Sequence, residues 1–194
     1  MSSSLAFVGD SLTAAGRWDE WLPDFTVTNH AAGGATTADV LVSIDLVLAE
    51  RPDAYILLIG TNDLAWRKSV EHVVRNVESI LATVHKEQPT TRVLVQSVLP
   101  REPEFAASIR EINRHLWQFS STVRAQFLDL WPVLADERGA LSPEHSEDGL
   151  HLTPAGYERW LDALRPAIDH LFTVPTVTSP IDLQTDAQAL SGPR

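Results

Sequence analysis

Short apolar runs alternate with longer amphipathic segments along this chain, and that alternation restricts the fold more than any other feature. Strand-like runs fall at about 5–8, 25–28, 54–59, 92–98 and 126–130. Between them, apolar residues recur at spacings of three and four. Val40, Leu41, Ile44, Val47 and Leu48 mark one helix; Val70, Val73, Val74, Val77, Ile80, Leu81 and Val84 mark a second; Ile109, Ile112, Leu116, Phe119 and Val123 mark a third. Thr36 and Ser69 are the expected N-caps of the first two, since each hydroxyl precedes amides that need an acceptor. Tyr157, Trp160, Leu161, Leu164, Ile168 and Leu171 carry the stripe of a last helix that Pro154 opens. Pro166 lacks an N–H, so a kink or restart is expected near Arg165. Strands joined by helical crossovers pair in parallel with right-handed connections. The fold class is therefore α/β, a three-layer α/β/α sandwich whose five-stranded parallel sheet has the order 2-1-3-4-5.

The length of 194 residues suits one core. The domain is expected over 1–172, followed by a flexible tail over 173–194, where Pro175, Pro180 and Pro193 interrupt a polar stretch with little periodicity; a swapped or docking segment is the alternative. A net charge of -11 argues against nucleic acid as a partner, because phosphate binding needs a basic stripe. No apolar run approaches the roughly 20 residues that span a bilayer, so no integral membrane segment is expected. Absent cysteines remove disulfides and thiolate chemistry. With the first strand at Leu5 there is no room for an export signal, and the expected location is cytoplasmic. A homo-oligomer stays open.

Four short blocks sit where the strands end: Gly9-Asp10-Ser11, the segment 29–34, Gly60-Thr61-Asn62-Asp63 and Asp148-Gly149-Leu150-His151. In an open α/β sheet the carboxyl edge is where ligands bind, and the switch point lies between strands one and three. A serine hydroxyl needs a base within hydrogen-bond reach before it attacks an ester carbonyl. His151 is the candidate, since a neutral imidazole can accept a proton and hand it back. Asp148, three residues earlier, can hold one ring N–H and so leave the other nitrogen facing Ser11. The oxyanion of a tetrahedral intermediate needs donors already in place, and the backbone amides of Ser11 and Gly34 with the side-chain amide of Asn62 can supply them.

Singly, each block has a plainer reading. Gly-Asp-Ser is a turn capped by Asp10 or Ser11; Asn62 and Asp63 can bond their own backbone; Asp148 and His151 can be a surface pair or, with His145, half a zinc site. His30 reads as a solvated loop histidine or a lining of the site mouth. Leu12, Trp66 and Arg101 are candidate pocket residues, although Trp66 could pack a helix and Arg101 could pair with Glu102 or Glu104. Trp18 and Trp21 read as core or lid packing, and Asp129 as a cap of the turn after its strand. The joint occurrence of four blocks in order, with complementary roles, favours catalysis.

Phe7-Val8-Gly9-Asp10-Ser11-Leu12, Gly33-Gly34-Ala35-Thr36-Thr37, Gly60-Thr61-Asn62-Asp63 and Asp148-Gly149-Leu150-His151-Leu152-Thr153 together resemble the blocks of the SGNH, or GDSL, hydrolases over residues 4–172. Leu99-Pro100-Arg101 and Phe127-Leu128-Asp129 are most similar to the catalytic subunits of intracellular platelet-activating-factor acetylhydrolases and related bacterial esterases. Ala35 departs from the pattern, since many members carry Asp after the glycine of the second block. The resemblance implies a flavodoxin-like sandwich, Ser11 as nucleophile, Asp148 and His151 completing a triad, Gly34 and Asn62 in the oxyanion hole, and no cofactor or metal. The expected function is a serine esterase acting through an acyl-enzyme on Ser11, with a short, acetyl-like acyl group on a lipid, sugar or small alcohol. Alternatives are a lysophospholipase or thioesterase on longer chains, a sugar acyltransferase, and a non-enzymatic phosphate-binding module of the same architecture.

Overall fold

The computed structural model describes residues 2–173. In chain order the elements are β1 (Ser4–Gly9), α1 (Ser11–Ala14), α2 (Trp18–Trp21), β2 (Thr26–Asn29), α3 (Thr37–Ala49), β3 (Ala54–Leu58), α4 (Thr61–Ala65), α5 (Val70–Glu87), β4 (Arg92–Gln96), α6 (Ala106–Ser120), β5 (Gln126–Leu128), α7 (Trp131–Leu134) and α8 (Pro154–Thr173). Short 3-10 turns at Pro103–Phe105 and Ser121–Val123 flank α6. The sheet has five strands in the order β2-β1-β3-β4-β5, and every neighbouring pair is parallel.

The central strands read as unbroken apolar runs because both their faces are covered. Ala6, Val8, Tyr55 and Leu57 face the core under α3, α5 and α6, while Leu5, Phe7, Ile56 and Leu58 face the core under α1, α2, α7 and α8. In that second core Phe7 stacks on Trp18 at 4.5 Å between centroids, and Trp160 meets Trp18 edge-on at 4.9 Å. Trp18 is thereby core packing. Pairs of this kind add about 1 kcal/mol each beyond the area they bury.

The helix starts follow the expected caps. Thr36 opens α3 with a complete capping box to Asp39, and Ser69 accepts from the His72 amide at the start of α5. Of the kink or restart expected near Arg165, the restart is not found: α8 runs through Pro166. The proline forfeits one helical hydrogen bond, but Trp160, Leu161, Leu164, Ile168 and Leu171 are all buried and hold both halves of the helix on the sheet. The strands also end earlier than the apolar runs do, since Ile59 and Val98 are buried after their ladders stop. The expected tail at 173–194 lies outside the described residues, apart from Thr173, which closes α8. No helix among the described residues is long and apolar enough to cross a membrane.

Candidate active site

The carboxyl ends of β1 and β3 deliver the first and third blocks side by side. Gly9 is the last residue of β1, paired with Leu58, and a Cβ on it would lie 2.4 Å from the Leu58 carbonyl oxygen and 2.5 Å from the Thr13 hydroxyl. Only a residue without a side chain lets the chain turn this tightly against the sheet. Asp10 then caps α1 by accepting from the Leu12 amide at 3.0 Å. Ser11 is the first residue of that helix, so its N–H has no acceptor within the helix and is free for a ligand. The turn is braced below by the Trp18 indole and the Asn29 amide, which both donate to the Thr13 carbonyl.

Asp10 is fully buried, and burial pushes its carboxyl up to about 7 against the lowering effect of the Leu12 amide. Its Oδ2 has no hydrogen-bond partner. Asp10 thus holds the turn that carries Ser11 and makes no hydrogen bond to the His151 ring.

Ser11 Oγ lies 3.3 Å from His151 Nε2, although 140 positions separate the two residues. The other ring nitrogen, Nδ1, is 2.8 Å from Asp148 Oδ2. Asp148 Oδ1 accepts from the backbone amides of His151 at 2.7 Å and Leu150 at 2.9 Å, and from the Ser146 hydroxyl at 3.2 Å. The bond to the His151 ring, followed by these amides, holds the Asp148 carboxyl well below the usual carboxylate range. An ionised Asp148 assigns the proton to Nδ1 and leaves the Nε2 lone pair toward the serine. Tyr157 in α8 spans the gap beneath, its hydroxyl donating to the Leu12 carbonyl at 2.7 Å.

The second block forms an exposed loop between β2 and α3. Gly34 has φ +76 and nothing within 4 Å of a hypothetical Cβ, so backbone conformation rather than crowding requires glycine there. The Asn62 side-chain amide donates to the Ala35 carbonyl at 2.9 Å, which sets it against the residue after Gly34 and leaves its second N–H unspent. Asn62 and Asp63 do not bond their own turn; Asp63 accepts from the backbone and hydroxyl of Thr37.

The candidate pocket residues fare differently. Leu12 is only 1% exposed and belongs to the core under α8, which leaves it little surface for a ligand. Arg101 is also buried, its guanidinium donating to Glu102 and to the Thr61 carbonyl and lying 4.2 Å over the Phe105 ring. It braces the start of α4. Trp66 is 72% exposed. His30 contacts the Glu50 carboxylate at 3.0 Å, and Asp129 caps the turn after β5 by accepting from the Trp131 amide. Among the described residues no three His, Cys, Asp or Glu side chains are grouped to hold a metal ion. Sequence reasoning missed an open cleft of about 300 Å³, walled by Trp21, Leu152, Pro154, Tyr157 and Leu161 with Arg17 and Glu158 also lining it, whose wall includes the residue after His151. The adjacent aromatic and proline residues were its only sequence signal.

With these positions fixed, comparison with known proteins is direct. The sequence profile of the GDSL-like Lipase/Acylhydrolase family matches residues 7–159, the span that carries all four blocks. The chain belongs to this family. Platelet-activating factor acetylhydrolase IB subunit alpha1 of Rattus norvegicus is 30% identical over 164 residues, covering 79% of this chain and 69% of that protein. The alpha2 subunit of Homo sapiens is 28% identical over 176 residues, covering 85% and 76%. A Streptococcus pneumonia structure provisionally assigned as a platelet activating factor superposes with TM-score 0.77 at 27% identity, covering 87% of this chain and 85% of that one. As a member of this family of GDSL lipases and acylhydrolases, the protein is a carboxylic ester hydrolase.

Proposed function

We propose that the protein is a serine esterase that hydrolyses short-chain, acetyl-like esters through an acyl-enzyme on Ser11. The observation that carries this reading is the continuous chain of contacts from Ser11 Oγ through the His151 ring to Asp148. His151 Nε2 takes the hydroxyl proton as the Ser11 oxygen bonds to the carbonyl carbon. The resulting oxyanion meets the Ser11 and Gly34 amides and the Asn62 side chain, contacts worth ~10² to 10³ in rate per donor. Collapse breaks the bond to the alcohol oxygen, which leaves with the proton from Nε2. Water then repeats the sequence in place of Ser11, and the carboxylic acid departs. The acetyl-like preference is supported by relatives named acetylhydrolases. The natural alcohol is a lipid, sugar or small alcohol.

The open cleft that Leu152, Tyr157 and Trp21 line favours a second reading, in which longer acyl or alkyl chains are accommodated as in a lysophospholipase or thioesterase. A fluorophosphonate probe tests the shared chemistry: wild type should be labelled stoichiometrically at Ser11 and His151→Ala should not. An unlabelled wild type contradicts the esterase. Rates on p-nitrophenyl esters of increasing length then separate the two readings, a preference for eight carbons or more favouring the second.

A further inference from the structure

The loop that carries Gly34 has little packing of its own. Ala32, Gly33 and Gly34 are exposed, and neither glycine position has an atom within 4 Å of where a Cβ would stand. A loop without packing keeps its place only through its hydrogen bonds and its flanking elements. Two of those bonds come from consecutive residues of α4. Asn62 donates to the Ala35 carbonyl, and Asp63, fully buried, accepts from the Thr37 amide at 2.9 Å and the Thr37 hydroxyl at 2.6 Å.

The direction of the Thr37 hydroxyl is determined by its other neighbour. Asn76 on α5 donates its side-chain amide to the same oxygen at 2.9 Å, so the hydroxyl proton goes to Asp63. A short bond to a buried carboxylate is of the stronger, charge-assisted kind. The first residue of α3, the middle of α4 and one face of α5 therefore meet at a single oxygen atom. The capping box at Thr36 makes the start of α3 rigid, so whatever fixes Thr37 also fixes the loop that precedes it.

We infer that Asp63 and Thr37 form a positioning clamp that holds the Gly34 amide and the Asn62 side chain at one fixed separation. This rests on the serine-esterase reading, since it concerns where that reaction's oxyanion is held. Neither residue touches the reacting atoms. A carboxylate and a hydroxyl 26 positions apart act through the residues beside them: Asp63 through Asn62, Thr37 through the loop ahead of it.

The test compares Thr37→Val with Thr37→Ser, using p-nitrophenyl acetate turnover and the affinity of methylboronic acid, which forms a tetrahedral adduct on an activated serine. Thr37→Val keeps the volume and loses the hydroxyl. It should lower kcat by about tenfold to a hundredfold with KM within twofold, a part of the ~10² to 10³ carried by each oxyanion donor. Boronate affinity should fall by the same factor. Thr37→Ser should restore both to near the wild-type values. In an Asn62→Ala background the cost of Thr37→Val should shrink, since only the Gly34 amide is then left for it to misplace. If Thr37→Val does not fold, Asp63→Asn, which keeps the shape and loses one acceptor, is read by the same assays with the same expectation. Equal costs in the two backgrounds, or a kcat within twofold of wild type, overturn the clamp while fluorophosphonate labelling of Ser11 leaves the esterase standing. Failure of that labelling in the wild type removes the esterase and the clamp together.

Discussion

The two halves of the Ser11–His151 contact are held by different means. Ser11 follows a fully buried Asp10 and a glycine pressed against the sheet, over a floor of stacked aromatics. The His151 and Asp148 side chains are 54% and 56% exposed, and a turn of hydrogen bonds on Asp148 keeps them in place. Packing fixes Ser11 and polar contacts fix His151. Damage on the first side should therefore appear as lost stability, and damage on the second as lost turnover in a folded protein.

The largest effects test the second half of that contrast. Asp148→Asn, and likewise Ser11→Ala, which removes a hydroxyl without touching the packing beneath it, should each lower kcat by ~10⁴ or more, the cost seen when a triad loses its orienting carboxylate or its nucleophile. Their thermal midpoints should stay within a few degrees of wild type. Should Asp148→Asn unfold the protein, the exposed turn has a structural load that the contrast denies it.

Next in size is Gly9→Ala, which adds a methyl group where no space exists. We expect a loss of about 3 kcal/mol, or roughly 10 °C in a chain of this length, measured by thermal unfolding. A stable, active Gly9→Ala variant would show that the nucleophile turn has slack.

The smallest effect concerns pH. Because burial raises the Asp10 carboxyl to about 7, the folded state binds that proton more tightly than the unfolded chain does. This group's contribution to stability is complete below about pH 4 and declines as pH rises to about 7. Asp10→Asn keeps a capping side chain without the charge, and should flatten the fall in unfolding free energy across that window by a few kcal/mol at most. Asp148 has the opposite sign: its depressed carboxyl favours the fold above the usual carboxylate range and loses that contribution as pH falls. An Asp10→Asn profile parallel to wild type would mean that the buried turn is open to water.

Much of the molecule was legible because its signals are local or repeat. The strands and the long helices follow from apolar spacing, and the caps at Thr36 and Ser69 from one residue each. The meeting of Ser11 with His151 was legible because each block ends a strand or opens a helix at the same edge of the sheet. Helices α1, α2, α4 and α7 were not, since four or five residues are too few to show a period. The Asp63–Thr37 and Asn62–Ala35 bonds depend on how two loops come into register across the sheet, and no sequence pattern encodes that. Of the two readings of Arg101, the pair with Glu102 is the one its contacts bear out, while its further bond to the Thr61 carbonyl had no sequence signal.

Tyr157 gives the link between the two halves a fixed length. His151 and this tyrosine stand six positions apart, and the phenol is anchored on the carbonyl of the residue after Ser11. One residue inserted at the start of α8 would turn the phenol about 100° around the helix axis. The strut would then miss its seat, and the imidazole would lose its gauge of distance to the serine even with Ser11, Asp148 and His151 all in place.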